Sequence, residues 1–266
     1  MDPADSPDLG RGVLHPARAA ELIGVDRLAP DPEVARFVEF YWVVRWDLHG
    51  LPPYEQKVLA HPNVHLVFEE PRARVYGVDR SLFVRRLEGA GRVLGVKFRP
   101  GAFRPFAGGP VSALADRSFP AGEFFGPTAD RLNSAVLQGD QGDPAALADA
   151  FLLPRLPAPD PVAEEVAAMV DRITGSPDLR RVDDLAGEFG LGVRRLQRLF
   201  AEYVGVSPKW VLRRARLHEA AERAVSGGEL DLAALAAELG YADQAHLTRD
   251  FTAAVGVSPA RYAAAG

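Results

Sequence analysis

Leu196-Gln197-Arg198-Leu199-Phe200-Ala201-Glu202-Tyr203-Val204-Gly205-Val206-Ser207-Pro208 and Leu247-Thr248-Arg249-Asp250-Phe251-Thr252-Ala253-Ala254-Val255-Gly256-Val257-Ser258-Pro259 are one pattern written twice. Leu, Arg, Phe, Val, Gly, Val, Ser and Pro recur in step. Upstream, Leu185-Ala186-Gly187-Glu188-Phe189-Gly190 pairs with Leu235-Ala236-Ala237-Glu238-Leu239-Gly240, with one extra residue in the second connection. Each copy predicts two short helices around a glycine-led turn.

The faces of those helices state what each is for. Leu185, Ala186 and Phe189 make one apolar stripe, and Leu196, Leu199, Phe200 and Tyr203 make another. Opposite the second stripe stand Arg194, Gln197 and Arg198. In the second copy Leu247, Phe251 and Val255 face inward, leaving Gln244, Thr248 and Arg249 outward. Guanidinium and amide groups on the outer side of the second helix suit base edges in a major groove, where Arg pairs with guanine and Gln with adenine. Asp243 is placed to cap the second copy's outer helix, whereas its counterpart Gly192 is a weaker cap.

A helix is expected to join the copies. Ser207-Pro208 is a start signal, and apolar spacing continues from Trp210 through Leu217, Ala220, Ala221, Ala224 and Val225 to a stop at Ser226-Gly227-Gly228. Such a rod spans roughly 27 Å and would hold two reading helices about one DNA turn apart, roughly 34 Å. One chain would then read two successive grooves without a palindromic site. Phosphate contacts are expected from Arg195, Lys209, Arg213, Arg214 and His246.

These motifs resemble the DNA-binding domain of AraC/XylS-type transcriptional regulators over roughly the last 90 residues. The quoted pattern runs through Gly240-Tyr241-Ala242-Asp243 and His246-Leu247-Thr248-Arg249-Asp250-Phe251 to Ser258-Pro259-Ala260-Arg261-Tyr262. Arg181 and Gly192 depart from it, standing where the family usually has a capping Ser or Thr. The Ala263-Ala264-Ala265-Gly266 end departs too, standing where a basic residue is common. Some relatives of this domain belong to alkyl-acceptor repair proteins that need a Cys, and this chain has none.

Composition bounds the rest. The 266 residues suffice for two domains, and 47% hydrophobic residues with a mean hydropathy of −0.07 describe a globular chain. No apolar run reads as a leader or membrane span, so the cytoplasm is the expected location. The net charge of −5 argues against nucleic acid, but Arg194, Arg195, Arg198, Lys209, Arg213, Arg214 and Arg216 form a local basic cluster.

Residues 12–155 read differently. Strand candidates at Phe40–Trp46, Gln56–Ala60, Val64–Glu69, Ala73–Val78, Leu82–Leu87 and Arg92–Phe98 suggest an antiparallel β-barrel or sandwich, followed by helices at Pro127–Gln138 and Pro144–Leu152. Prolines at 154, 157, 159 and 161 mark residues 156–162 as a stiff linker into a DNA-binding domain at 163–266. The fold class expected is α+β in two domains, the first antiparallel β, the second all-α. Val58–Glu69 and Gly95–Phe103 resemble the N-terminal domain of a large group of such regulators, which implies a cupin-like sensory domain. Tyr41, Trp42, Trp46, His61, His65 and Phe68 are the candidate effector pocket.

His61, His65 and Glu69 would share a strand face, but Pro62 interrupts it, so no metal and no cofactor are assigned. No nucleophile–base pair stands out, and no catalysis is expected. The partners expected are double-stranded DNA, a small-molecule effector and a second copy of the chain as a homodimer, with no membrane. Two other classes stay open at this point: a constitutive or architectural DNA binder, and a cupin-type enzyme with an appended helical domain.

Overall fold

A computed structural model describes residues 11–138, 142–175, 179–226 and 230–265. Residues 1–10, which bear on the leader, Gly227 and Gly228 of the expected helix stop, and Gly266 lie outside the described residues.

Period-two alternation builds the first half. A short helix α1 (Pro16–Leu22) runs directly into β1 (Ile23–Leu28), and β2 (Val38–Asp47) follows. Then come β3 (Tyr54–Leu59), β4 (His65–Phe68), β5 (Arg74–Tyr76), β6 (Leu82–Leu87) and β7 (Ala90–Phe98). After α2 (Arg104–Ala107), β8 (Ser118–Pro120) closes the strand count among the described residues. Pairing is antiparallel throughout: a six-stranded sheet in the order β1-β2-β7-β4-β5-β8, and a separate β3-β6 pair. The expected antiparallel β domain is therefore present as two sheets facing each other across a cavity. Strands β1 and β8 are additions to the six expected.

One face of the large sheet is a dry core. Tyr41, Val43, Leu66, Phe68, Val75, Leu94, Val96 and Phe98 are fully buried in one cluster with residues of α3 (Gly122–Phe125), α4 (Thr128–Gln138) and α5 (Pro144–Leu152). Each such side chain contributes about 1.5–3 kcal/mol, so truncating Phe98 alone would cost about 3–5 kcal/mol. The Tyr41 hydroxyl donates to Asp149 Oδ1 at 2.6 Å, which ties β2 to α5. That bond and burial explain why Tyr41 and Phe68 are not pocket residues. Successive residues of a strand face opposite ways, so Tyr41 cannot share a side with Trp42.

The second half is helical: α6 (Pro161–Thr174), α7 (Val182–Glu188), α8 (Val193–Leu199), α9 (Pro208–Val225), α10 (Leu232–Glu238), α11 (Gln244–Val255) and α12 (Pro259–Ala263). It has two apolar centres. Val166, Met169, Leu185, Leu196, Phe200, Val211 and Leu212 form one, while Leu217, Ala221, Leu235, Leu247, Phe251 and Tyr262 belong to the other. The connecting helix α9 thus gives its first two turns to one unit and its later turns to the next.

The two halves are in close contact. Leu14 and Leu59 complete the second helical centre and Val78 joins the first. Arg11 pairs with Glu219 at 3.0 Å and Glu222 at 2.7 Å, and Arg104 with Glu202 at 2.5 Å. The rings of His61 and His218 stack at 4.1 Å. Gly12, at φ +99°, lets residues 11–14 pass between them; a Cβ there would fall 2.6 Å from the Leu59 carbonyl and 2.9 Å from the His218 ring.

Candidate nucleic-acid interface and cavity

The two helix-turn-helix units are assembled from local signals. Gly190 and Gly240, at φ +62° and +71°, close α7 and α10 in the left-handed conformation that glycine takes without a Cβ penalty. In the second unit Asp231 accepts from Ala233 N and Ala234 N, and Asp243 accepts from His246 N at 2.7 Å. In the first, Arg181 and Gly192 cap without any side-chain hydrogen bond. Ser207 caps α9 with Pro208 at its first position, as the start signal required.

Leu196 and Phe200 are buried beneath α8, so its opposite side carries Arg194, Arg195, Gln197 and Arg198, all exposed. Leu247 and Phe251 are buried beneath α11, leaving Gln244, His246 and Arg249 exposed, with Thr248 half-buried. Lys209, at the start of α9, is exposed as well. Among the described residues Arg194, Arg195, Arg198, Lys209 and Arg249 have no ion-pair partner. Unpaired guanidinium and ammonium groups on a helix face are what phosphate and base acceptors require.

The arginines of α9 part company. Arg213 makes a two-pronged pair with Asp250 of α11, at 2.8 and 2.7 Å, and the Tyr241 hydroxyl donates to the same carboxylate at 3.2 Å. It is half-buried and braces α11 against α9. Arg214, expected at the phosphates, is instead buried, with 4% exposure. Its Nη2 donates to the Arg80 carbonyl of the β5–β6 connection at 2.7 Å, and its guanidinium lies 4.5 Å from the Trp210 ring centroid. At about 100° per residue, Arg214 points well away from Arg213, and the 214 position faces the β domain. Arg180 also links the units, donating from Nη2 to the Glu238 carbonyl at the end of α10 at 3.0 Å.

The second site is the cavity between the sheets, about 760 Å³ in volume. Trp42, Trp46, His61 and His65, four of the six residues named as the candidate effector pocket, line it. The flat aromatic floor has a cause in β7. Gly95 and Gly91 lie across from Trp42 and Trp46 in the β2–β7 register, and a Cβ at either position would fall about 2 Å from an indole atom (1.9 Å at Trp42, 2.1 Å at Trp46). The indoles therefore lie over the strand in the space that side chains would fill.

Sequence reasoning passed over Lys97, Glu39, Gln56 and the wall made by Ala167, Val170, Asp171 and Thr174 of α6, all of which line the cavity. Lys97 stood in view: it keeps the phase of Val93 and Gly95 in an otherwise apolar strand, so it had to face a lined space. Burial pulls its ammonium below the usual lysine range, and Glu39 Oε1 at 3.0 Å opposes that. Burial, aided by the Lys97 charge, holds His65 at about 3 and His61 at about 4, so both rings are neutral.

Comparison with known proteins agrees with this division. A helix-turn-helix domain family model matches residues 185–265, and a model for a domain of unknown function (DUF6597) matches residues 26–120. No curated protein matches the chain. Among solved structures, the C-terminal domain of AraT, a response regulator from Geobacillus stearothermophilus, is 25% identical over 41% of this chain and 89% of that one, with a TM-score of 0.36. The DNA-binding domain of AdpA, a global transcriptional factor solved with a target DNA, is 27% identical over 40% and 93%, with a TM-score of 0.33. ToxT from Vibrio cholerae O395 is 10% identical over 91% and 96%, with a TM-score of 0.40. With two helix-turn-helix units on one connecting helix and the family match across both, residues 185–265 of the chain are a helix-turn-helix domain.

Proposed function

We propose that this is a one-component regulator in which the exposed faces of α8 and α11 read DNA and the cavity takes a small-molecule effector. The observation that carries it is the pair of unpaired polar faces: Arg194, Gln197 and Arg198 on one unit, Gln244, Thr248 and Arg249 on the other. Arg195, Lys209 and His246 are the phosphate contacts of this reading, whereas Arg213 positions α11 and Arg214 serves the contact between the halves.

Effector control has a route. The α6 residues that wall the cavity sit on the helix that also supplies Val166, Met169, Val170 and Ile173 to the first unit's core. A molecule in the cavity would touch the helix on which the first reading unit packs. The protein acts in the cytoplasm, where its DNA is, and carries no catalytic role; one chain presents both reading faces, so a homodimer is not required.

Fluorescence anisotropy of the full chain on DNA selected from a random pool, with random DNA as competitor, tests the reading. Preference for the selected site by about 10³ or more supports a regulator, and a ratio below about tenfold would leave only a non-specific binder.

A further inference from the structure

Two ion pairs among the charged groups that line the cavity are already matched. Lys97 Nζ sits 3.0 Å from Glu39 Oε1, and Arg85 Nη2 sits 2.8 Å from Glu69 Oε2, with Glu69 also accepting from the Tyr76 hydroxyl. An ionic ligand would have to separate one of these pairs or bring an unmatched charge into a partly desolvated space. Among the described residues of the lining, the buried side-chain atom without a partner is neutral. Gln56, 8% exposed, donates from Nε2 to the Lys57 carbonyl at 3.0 Å, and its buried Oε1 has no partner. A buried, unpaired amide oxygen is a standing acceptor. His65 accepts at Nδ1 from the Trp42 indole N–H at 3.4 Å, which leaves its proton on Nε2 and makes that nitrogen a neutral donor. Around these groups the cavity is apolar and flat, with the two indoles over Gly95 and Gly91 below and Phe83 and Val58 of the β3-β6 pair opposite.

We propose that the cavity selects an uncharged, planar aromatic molecule bearing a hydroxyl or N–H that donates to Gln56 Oε1. The proposal rests on reading the cavity as the effector site and adds the ligand's chemical class. The Trp42 and Trp46 rings supply stacking area, the matched ion pairs refuse a formal charge of either sign, and Gln56 fixes orientation.

Isothermal titration of the full chain with three probes that share one ring system tests it: naphthol, naphthoate and naphthyltrimethylammonium. Naphthol is expected to bind at least about tenfold more tightly than either ion, a step equal to about 1.4 kcal/mol. Gln56→Leu should weaken naphthol about tenfold and leave unsubstituted naphthalene unchanged, the effect of removing one acceptor. Naphthoate or the ammonium binding as tightly as naphthol overturns the class assignment while leaving the cavity as an effector site. If none of the three binds at its solubility limit, the effector reading itself falls. The probe ranking on the unaltered chain stands on its own should the Gln56 variant fail to fold.

Discussion

Arg214 separates two pictures of this molecule, because it is a DNA contact by position in the sequence and a contact between halves in the structure. Burial lowers its guanidinium from the usual arginine range to about 10. That fall disfavours the charged form by about 3 kcal/mol, yet the group stays protonated at neutral pH. Against this stand the bond to the Arg80 carbonyl, about 1.5–3 kcal/mol for a charged donor, and the ring contact with Trp210, up to about 2 kcal/mol when desolvated. The opposing effects nearly cancel. Arg214→Met, which keeps length and offers sulfur to the indole, should therefore change unfolding free energy by no more than about 1 kcal/mol. Arg214→Ala also loses the packed stem and should cost about 2–4 kcal/mol. Denaturant titration measures both. On DNA, the slope of log affinity against log salt should be unchanged in Arg214→Met, while Lys209→Ala or Arg195→Ala should each flatten it by about 0.9. A fall of about 0.9 in Arg214→Met would show that the side chain leaves the β domain for a phosphate, and the argument from its burial would be wrong.

Three further outcomes are expected. Gln197→Ala or Arg198→Ala should cut discrimination at particular base positions by about 1–3 kcal/mol, read from selected-site profiles; an unchanged preferred sequence would remove α8 from the groove. His61 and His65 are held at about 4 and about 3, and His218 well below the usual 6.5, all chiefly by burial. The unfolded chain gains protons below 6.5 that the folded chain refuses, so stability is full above 6.5 and falls toward about 4 by on the order of 1 kcal/mol per pH unit for each ring. His218→Phe should make that fall shallower in denaturation midpoints from about pH 7 to about pH 5, and an equal slope would contradict it. Gly95→Val should collide with Trp42, cost about 1–3 kcal/mol, and change the near-ultraviolet dichroism of the indoles; a variant with the wild-type spectrum would mean that the ring does not lie over β7.

The helical half was readable because its information is local and doubled: two periodic apolar faces, two turn glycines, and caps at Ser207 and Asp243. What escaped depends on direction. Arg213, Arg214 and Arg216 look like one basic cluster in the sequence, but helix geometry sends the first to Asp250, the second into the β domain and the third over the Tyr241 ring. Tyr41 and Phe68 were grouped with Trp42 and His65 by residue type, although strand parity separates them. Strand β1 escaped because Gly24, Asp26 and Arg27 dilute its apolar alternation; it is an edge strand, where such residues are tolerated. The α6 wall has no local signature, because it is created only when the two halves meet.

Leu14 and Leu59 bear on how this protein can be taken apart. They come from the chain's first quarter, yet each is almost wholly enclosed, at 2% and 0% exposure, within the apolar centre of the second helix-turn-helix unit. Grafting residues 163–266 onto a different N-terminal domain would carry over a greasy notch where those two leucines sat, beside the first unit, whose centre, among the described residues, takes Val78 alone from the β domain. The recipient must supply its own plug for that notch, so chimaeras of this chain will tolerate replacement of the first helix-turn-helix unit more readily than of the second.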